Sequence, residues 1–396
     1  MMTTALDIAI LAVVTLPLLP ATLFLAQVLA ALVPARQPEY LGGARPRVAV
    51  LIPAHDESQG IVPVIQSVRE GLSLQDRVLV VADNCSDNTA ALATATGAEV
   101  VERHDVSRLG KGYALARGIE HLQRNPPDVV IVIDADCHVA PGALDLLVRQ
   151  CHGLARPVQA LYLMHALNPG SPGVAFAAFA WLVKNRVRPL GYRRLGQPCQ
   201  LMGSGMAFPW SVLQAAPLAQ GHLVEDLKLG LDLARVGHAP AFCPEALVTS
   251  TFPAVTAGVK SQRTRWEHGH LGMIGHDAPR YLLDALRTAN PALLALVLDL
   301  CIPPLALLAM LSTAAWALAL AHGLLSGFEP ALWIASTTLA MLASAVMVSW
   351  LAFGRQTISL AQLAHAPAYA LAKIPLYLRF LTRRQAVWVR SSRDKS

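Results

Sequence analysis

The stretch VVIVIDADC, at residues 129–137, sets two carboxylates directly after an uninterrupted apolar run. A short run of β-branched residues is typical of a central strand that is buried on both faces of a parallel sheet. Side chains two residues apart on an extended backbone point to the same side, so Asp134 and Asp136 can bind one divalent cation. Carboxylate oxygens favour Mg²⁺ or Mn²⁺. The alternative is that both acids only cap the next helix.

Two earlier segments repeat this order of apolar strand and polar loop. Residues 48–52 precede the loop PAHDE at 53–57, and residues 78–82 precede the loop DNCSDNT at 83–89. A helical segment at residues 61–70 separates the two strands, and such alternation predicts a parallel α/β sheet. Ligands bind these sheets beyond the carboxyl ends of the strands, so we expect the three loops to form one pocket.

Composition predicts that the chain is partly embedded in a membrane. Of its 396 residues, 54% are hydrophobic and 15% are charged, whereas soluble proteins contain about 25% charged residues. Apolar runs at residues 6–33, 300–321 and 331–353 each reach the roughly 20 residues that a bilayer core requires, with a hairpin expected at 322–330. The first run is too long for a signal-peptide core, which predicts a retained transmembrane helix.

The formal charge of +6 is concentrated beside the apolar ends and in two central stretches. This distribution indicates contact with anionic membrane lipids rather than with nucleic acid. The positive-inside rule places basic flanks in the cytoplasm, so we expect a multi-pass protein of the bacterial inner membrane with a cytoplasmic central domain. The flanking basic residues are Arg36, Arg45, Arg47, Arg379, Arg383, Arg384, Arg390, Arg393 and Lys395.

These patterns divide the chain into four parts. We expect a transmembrane helix at 1–35, an α/β domain with interfacial helices at 45–290, two transmembrane helices at 291–354, and an interfacial helix with a basic tail at 355–396. Within the second part, residues 175–192 change from apolar to basic. This stretch suits a helix on the bilayer surface, and its cations could equally hold the phosphates of a lipid-linked ligand.

Cysteine and histidine spacing argues against a zinc site. The six cysteines form no CxxC pair and no regular framework, which argues against a disulfide scaffold as well. His268 and His270 lack the spacing of a helical zinc pair, so we expect them to make polar contacts near the membrane interface.

Seven short motifs follow one another in a fixed order. They are residues 50–57, residues 80–89, GKG at 110–112, DAD at 134–136, GSGM at 203–206, ED at 225–226 and QRTRW at 262–266. Jointly they resemble the inverting family 2 of glycosyltransferases, which includes cellulose, chitin and hyaluronan synthases, over nearly the whole chain. The resemblance implies a GT-A-like, Rossmann-related fold. It also implies transfer of a sugar from a nucleotide-sugar donor to a lipid-linked or polysaccharide acceptor, in exopolysaccharide or glycolipid synthesis.

The resemblance assigns roles to individual residues. Asp226 is the general base that takes a proton from the acceptor hydroxyl, and an inverting transfer needs one such carboxylate. Asp134 and Asp136 hold the metal. The implied donor-binding residues are Pro53, Ala54, Glu57, Asp83, Lys111, Asp134, Ala135, Asp136, Gln262 and Arg265. The implied acceptor-binding residues are Gly203, Ser204, Gly205, Met206, Glu225 and Trp266.

The chain departs from the family pattern at Ala82, where relatives carry the first of two adjacent acids. Asp83 therefore inherits the contact with the nucleotide base. The resemblance implies UDP as the nucleotide of the donor. GDP is the alternative, because Ala82 replaces one of the two acids. For Ser86 and Asp87, nearby in the same loop, we favour helix capping.

Each motif also has a structural explanation. Residues 110–112 could be a solvated turn, and residues 203–206 could be an ordinary turn. Glu225 and Asp226 could begin a helix. Residues 262–266 could anchor a helix at the membrane surface.

The motifs fit several functions. They suit a single-addition enzyme, a processive synthase that also secretes its polymer, and a catalytically silent scaffold of an assembly complex. Three spans make a poor channel, which favours single addition, although an oligomer could build one. The large charged middle and the lack of ionisable pairs in the apolar runs argue against a transporter.

Overall fold

The computed structural model describes residues 5–34, 44–165, 172–252 and 256–382. Most of the predicted basic flanks, namely Arg36, Arg383, Arg384, Arg390, Arg393 and Lys395, lie outside the described residues. Eight strands form one sheet in the order β3-β2-β1-β4-β7-β6-β8-β5. They are β1 (Val48–Ala54), β2 (Arg77–Asp83), β3 (Glu99–Arg103), β4 (Val129–Val132), β5 (His138–Val139), β6 (Val158–His165), β7 (Met206–Pro209) and β8 (Ala241–Thr251).

One half of the sheet is parallel, as the sequence predicts. Strand β1 pairs in parallel with β2 and with β4, and β2 pairs in parallel with β3. In the other half β7 runs antiparallel to both β4 and β6, and β5 runs antiparallel to β8. Strand β6 pairs in parallel with β8, with an irregularity between Ala160 and Leu161. The sheet as a whole is therefore mixed.

Helices cover both faces of the sheet and continue beyond it. They are α1 (Ala5–Thr15), α2 (Leu18–Ala31), α3 (Ile61–Arg69), α4 (Thr89–Ala95), α5 (Lys111–Leu122), α6 (Ala143–Leu154), α7 (Pro172–Leu182), α8 (Arg188–Arg194), α9 (Trp210–Leu213), α10 (Glu225–Arg235), α11 (Thr256–Gly272), α12 (Ala278–Arg287), α13 (Pro291–Leu300), α14 (Leu305–Ser326), α15 (Pro330–Ser349), α16 (Leu360–Leu363), α17 (Ala366–Leu371) and α18 (Ile374–Thr382). Three π-helical turns, Val183–Val187, Met273–Asp277 and Trp350–Gly354, join α7 to α8, α11 to α12 and α15 to the segment after it.

Two hydrophobic cores hold the strand ends in place. Alternate residues of β1 point to opposite faces, so Val50 and Ile52 enter the core beneath α3 and α6, while Leu51 enters the core beneath α5 and α10. All three side chains are fully buried. Burial of each contributes about 1.5–3 kcal/mol, which fixes the position of the polar loop that follows β1.

Among the described residues, three helical segments are long and apolar enough to cross a bilayer. They are Ala5–Ala31, Leu305–Ser326 and Pro330–Gly354. The second begins five residues later than the expected span, because Pro303 and Pro304 interrupt the helix. The apolar residues before these prolines form α13, whose Leu293, Leu296 and Leu300 pack with α10 and α12.

The predicted helix at residues 175–192 is present as α7, a π-helical turn and α8. Its expected position on the bilayer surface is wrong for Arg188, which is only 8% exposed. The Arg188 guanidinium donates to Asp299 Oδ1 at 2.8 Å and to Gln27 Oε1 at 3.2 Å, and Gln27 donates to Asp299 Oδ1 at 2.6 Å. This buried cluster joins α2 and α13 to α8.

Helix α2 packs closely against α8 at Gly191. A Cβ atom at this position would lie 1.9 Å from the backbone oxygen of Gln27. We expect Gly191→Ala to force the two helices apart and to lower the free energy of unfolding by about 1–3 kcal/mol. Thermal unfolding in detergent measures the loss. The control is Gly275→Ala, where a Cβ meets nothing within 4 Å; equal stability of the two variants would contradict this packing.

Candidate active site

A cavity of about 240 Å³ opens at the carboxyl ends of β1, β2 and β4. Its wall includes residues from the loops after all three strands, so the predicted single pocket is present in the structure. Every residue that the sequence assigns to the donor lines it, namely Pro53, Ala54, Glu57, Asp83, Lys111, Asp134, Ala135, Asp136, Gln262 and Arg265. Gly203, Glu225, Asp226 and Trp266 line the same cavity.

The two carboxylates of the DAD motif lie side by side after β4. Ligand atoms of Asp134, Asp136 and Cys137 all lie within 4.8 Å of one another. Burial and the neighbouring Asp136 raise the pKa of Asp134, although Lys111 opposes the shift. A cation bound between the carboxylates would relieve this repulsion. Two hard oxygen ligands at this separation therefore fit Mg²⁺ or Mn²⁺.

Lys111, at the start of α5, connects the donor side to the glycine motif. Its ammonium donates to Asp134 Oδ1 and to the Gly203 carbonyl, the latter at 2.6 Å. Burial alone would lower the pKa of Lys111, but the carboxylates of Asp134 and Glu225 raise it above its ordinary value. The side chain is therefore a cation at neutral pH, which suits a phosphate contact.

The side chains of Asp226, Asp134 and Lys111 all lie close to Gly203. A Cβ atom there would lie 3.5 Å from Asp226 Oδ2 and 3.9 Å from both Asp134 Oδ2 and Lys111 Nζ. Its φ of +91° is a conformation that favours glycine. The first carboxylate of the DAD motif and the predicted base thus face the same small volume.

We expect Gly203→Ala to lower kcat about 10-fold to 100-fold, because the left-handed backbone costs about 1–3 kcal/mol for alanine and the methyl group enters the site. Steady-state kinetics of the purified variant measures the loss. Gly142→Ala is the control, since it also replaces a glycine with positive φ but meets nothing within 4 Å. A similar loss in both variants would show that backbone strain alone is responsible.

The acidic pair begins α10, and both of its residues line the cavity. Asp226 Oδ1 accepts from the backbone N–H of Leu227 at 2.9 Å. Burial, followed by repulsion from Asp226, raises the pKa of Glu225 to about 7, although Lys111 and Arg265 oppose the shift. Opening the helix and facing the site are therefore compatible roles for this pair.

The raised pKa of Glu225 predicts a pH-dependent stability. Its pKa rises from 4.5 to about 7 on folding, so ionisation opposes folding, and the penalty grows from pH 4.5 to pH 7 and persists above it. We expect Glu225→Gln to remove this penalty and to raise the free energy of unfolding at pH 8 by about 1–3 kcal/mol, allowing for partial solvent screening. The Tm difference from the wild type should shrink toward pH 5. A difference that grows toward low pH would contradict the shift.

Helix α11 presents the QRTRW motif to the cavity. Gln262, Arg265 and Trp266 share a helix face because they are three and four residues apart. Trp266 packs against Trp181 of α7 with ring centroids 4.8 Å apart. Within the described part of the chain, Arg265 Nε is buried without a hydrogen-bond partner. It offers a donor at the wall of the site.

Asp83 is held firmly at the end of β2. It is 7% exposed and accepts hydrogen bonds from Arg103 at 2.5 Å and from Asn84 at 3.0 Å. Burial raises the pKa of Asp83, with Arg103 opposing the shift. Arg103 lies over the Tyr113 ring at 5.4 Å. Asp83 is thus oriented by its neighbours at the edge of the cavity.

Three residues of the GSGM motif lie behind the cavity wall, which corrects their predicted contact with an acceptor. Ser204 is fully buried, and its Oγ accepts from the Asp134 backbone N–H at 3.1 Å. A Cβ on Gly205 would meet Ala160 at 2.7 Å, and Met206 begins β7 with 1% exposure. These residues are buried because they continue into the sheet, and they position the DAD motif.

The loop after β2 and the histidines of α11 make structural contacts. Asp87 accepts from the Thr89 backbone N–H at 3.0 Å, but the N-cap residue of α4 is Asn88, so Asp87 does not take the predicted N-cap position. Ser86 instead donates to Asp56, at 3.1 Å, so its predicted capping role is wrong. His268 and His270 bond to the carbonyls of Leu376 and Leu300 at 3.0 and 2.8 Å.

Several residues that line the cavity come from segments that the motifs do not mark. Tyr162 of β6, and Trp181 and Lys184 of the α7 region, line the cavity. Trp181 Nε1 donates to the Tyr162 carbonyl at 3.1 Å, and the Lys184 ammonium lies 5.9 Å from the centroid of the Trp181 ring. The sequence predicted that residues 175–192 lie on the bilayer surface or hold the phosphates of a lipid-linked ligand, and it did not assign Trp181 or Lys184 to the active site.

Comparison with known proteins identifies the family. A family model described as glycosyltransferase like family 2 matches residues 46–269. The chain belongs to this family. An uncharacterized glycosyltransferase of Mycobacterium tuberculosis is 29% identical to this family 2 chain over 194 residues, which cover 42% of this chain and 82% of the relative. The probable glycosyltransferase YdaM of Bacillus subtilis is 24% identical over 57% of this chain and 55% of its own length.

A solved structure shows the same fold. The mannosyltransferase PcManGT of Pyrobaculum calidifontis, in complex with GDP-mannose and Mn²⁺, superposes with a TM-score of 0.56 at 17% identity, covering 95% of this chain and 99% of that one. The predicted GT-A-like α/β fold is thereby confirmed for this family 2 glycosyltransferase.

Proposed function

We propose that the protein is an inverting, metal-dependent glycosyltransferase of the cellulose, chitin and hyaluronan synthase type. It transfers a sugar from a nucleotide-sugar donor to a lipid-linked or polysaccharide acceptor, and acts in exopolysaccharide or glycolipid synthesis. The observation that carries the proposal is the approach of Asp134, Lys111 and Asp226 to one point beside Gly203. A metal site, a phosphate-binding cation and a candidate base meet there.

The donor diphosphate lies against Lys111, Asp134, Asp136 and Arg265. Bound between the two aspartates, Mg²⁺ or Mn²⁺ would neutralise charge on the leaving diphosphate as a Lewis acid. The Lys111 ammonium and the unpaired donor of Arg265 add two cationic contacts to the same group. UDP is the nucleotide favoured by the resemblance, while the similar fold of a GDP-mannose enzyme keeps GDP as the alternative.

The acceptor lies on the side of Glu225, Asp226 and Trp266. Asp226 removes the proton from an acceptor hydroxyl, whose oxygen bonds to the anomeric carbon as the bond to the diphosphate breaks. One carboxylate suffices for this single displacement. The Trp266 ring offers an apolar face to the acceptor, supported from behind by Trp181. This single base supports inversion at the anomeric carbon.

The three candidate spans among the described residues support a membrane setting. We place the catalytic domain on the cytoplasmic face of the bacterial inner membrane, where nucleotide sugars are made. Residues 355–382 form short helices beside the spans, consistent with an interfacial segment. A set of three candidate spans in the described part of the chain favours single addition over secretion of a polymer.

Purified protein in detergent, incubated with a panel of radiolabelled UDP and GDP sugars and a membrane lipid extract, tests this function. We expect one donor to be consumed in the presence of Mn²⁺ or Mg²⁺ and not with EDTA. Chromatography of the product separates a single addition from a polymer. Binding of every nucleotide without any turnover would instead indicate a catalytically silent scaffold.

A further inference from the structure

A second cavity of about 240 Å³ lies beside the active site, between the sheet domain and the candidate spans. All three spans contribute to its walls, through Phe24 of α2, Ala309 of α14, and Leu342 and Val346 of α15. Phe176 of α7 lies on the same wall. Most of the lining is hydrocarbon, so the cavity suits an apolar ligand.

The two cavities share part of their lining. Trp181, Lys184, Gln262 and Trp266 line both of them, and the two tryptophans pack against each other at the junction. A molecule that extends past this aromatic pair would have one end beside Asp226 and the other among the candidate spans. The acceptor side of the active site therefore continues into an apolar cavity.

Two of the cations that line the second cavity are paired with carboxylates. Arg188 pairs with Asp299, and Lys373 pairs with Glu267. Arg263 lies over the Tyr369 ring at 5.7 Å. A glycan chain in this cavity would leave many hydroxyl groups without hydrogen-bond partners, each at a cost of about 1–3 kcal/mol. An aliphatic chain has no such groups and gains from burial.

We propose that the second cavity binds the aliphatic chain of a lipid acceptor whose hydroxyl group reaches Asp226 past the Trp181 and Trp266 pair. This inference rests on the proposed function and narrows its acceptor from lipid-linked or polysaccharide to a lipid. In the transfer, the lipid hydroxyl loses its proton to Asp226, its oxygen bonds to the anomeric carbon, and the nucleoside diphosphate departs with the electrons of the broken bond.

Tryptophan substitutions can fill this cavity without touching the active site. Ala309 and Val346 line the second cavity and are absent from the lining of the first. Ala309→Trp and Val346→Trp block it from two different helices, so agreement between them excludes a local folding defect. Ala314, also on α14, is exposed, and Ala314→Trp is the matched control for a tryptophan on the outer face of the same helix.

The probe is hexadecanol that carries a diazirine in the middle of its chain, cross-linked by light to the purified full-length protein. Peptide mass spectrometry measures the labelling of α7, which contributes Phe176 and Phe179 to the cavity. We expect α7 labelling to fall roughly tenfold in both cavity variants, because tryptophan removes space for several methylene groups, and to remain unchanged in Ala314→Trp. Excess unlabelled hexadecanol should compete with the probe in the wild type.

Metal-dependent nucleotide binding, measured on the same samples, distinguishes failure of the lipid site from failure of the proposed glycosyltransferase function. Nucleotide binding that persists in all variants, with α7 labelling lost only in the cavity variants, supports the lipid site. Equal α7 labelling in all four proteins, with nucleotide still bound, overturns the lipid site and leaves the proposed function standing. Failure of the wild type to bind any nucleotide sugar overturns the proposed function, and the acceptor assignment with it.

Discussion

Asp226→Asn is expected to reduce sugar transfer about 10³-fold, the size of effect that general-base catalysis supplies. Asparagine keeps the shape of the side chain and can still accept from the Leu227 backbone N–H, which Asp226 does at 2.9 Å. It cannot take a proton from the acceptor hydroxyl. Donor binding should change little, because Lys111 and the DAD motif remain. Parallel measurements of transfer and of equilibrium nucleotide binding check this separation.

Asp232→Asn is the matched control for this variant. Asp232 lies on the same helix, but its carboxylate contacts Lys228 and Tyr281, each at 2.6 Å, rather than the cavity. We expect the control to lose some stability and to keep its transfer rate per folded molecule. Full activity of Asp226→Asn would show that Asp226 is not the general base. An equal loss of activity in Asp232→Asn would show that damage to α10, rather than loss of the base, lowers the transfer rate.

Asp136→Ala is expected to weaken metal-dependent donor binding and to lower kcat/KM by roughly 10²-fold or more, because a metal contributes several kcal/mol to neutralising the leaving group. Removing one carboxylate leaves Asp134 paired with Lys111, a neutral arrangement with little attraction for a cation. Titration of nucleotide binding against Mn²⁺ concentration measures the effect. The variant should need a much higher Mn²⁺ concentration than the wild type.

A second group of potential metal ligands provides the control for this experiment. Asp56, Cys85 and Asp87 also place ligand atoms within 4.8 Å of one another. Hydrogen bonds from Thr89 and Ser58 outweigh partial burial and lower the pKa of Asp87 to about 2, so this carboxylate is already stabilised by its own loop. We expect Asp87→Ala to keep the Mn²⁺ dependence of nucleotide binding. If Asp87→Ala abolished the Mn²⁺ dependence of nucleotide binding and Asp136→Ala did not, the metal would be bound by the loop that contains Asp87.

The donor half of the site could be predicted because it depends on a simple property of parallel sheets. Adjacent parallel strands end at the same edge, so the loops at residues 53–57, 83–89 and 134–136 had to lie together. Asp226 and residues 262–266 are distant in sequence and on helices, where spacing alone gives no position. Their placement came from the resemblance, and the structure brings them to the same cavity.

The acceptor half was harder to predict for a physical reason. An amphipathic stretch such as residues 175–192 has the same pattern whether its apolar face meets lipid or a protein cavity. Lys184 faces the active site and Arg188 is buried against Asp299, and neither position can be read from their charge. Likewise, the glycines of the GSGM motif suggested exposure to a ligand, whereas Gly205 packs tightly beside Ala160.

The anomeric configuration of the product shows directly whether the transfer is a single displacement with Asp226 as base. Nuclear magnetic resonance of the purified product gives the configuration of the new bond, which is compared with that of the donor. Inversion is the expected result. Retention would contradict the proposal, because backside attack by a hydroxyl deprotonated by Asp226 must invert the anomeric carbon.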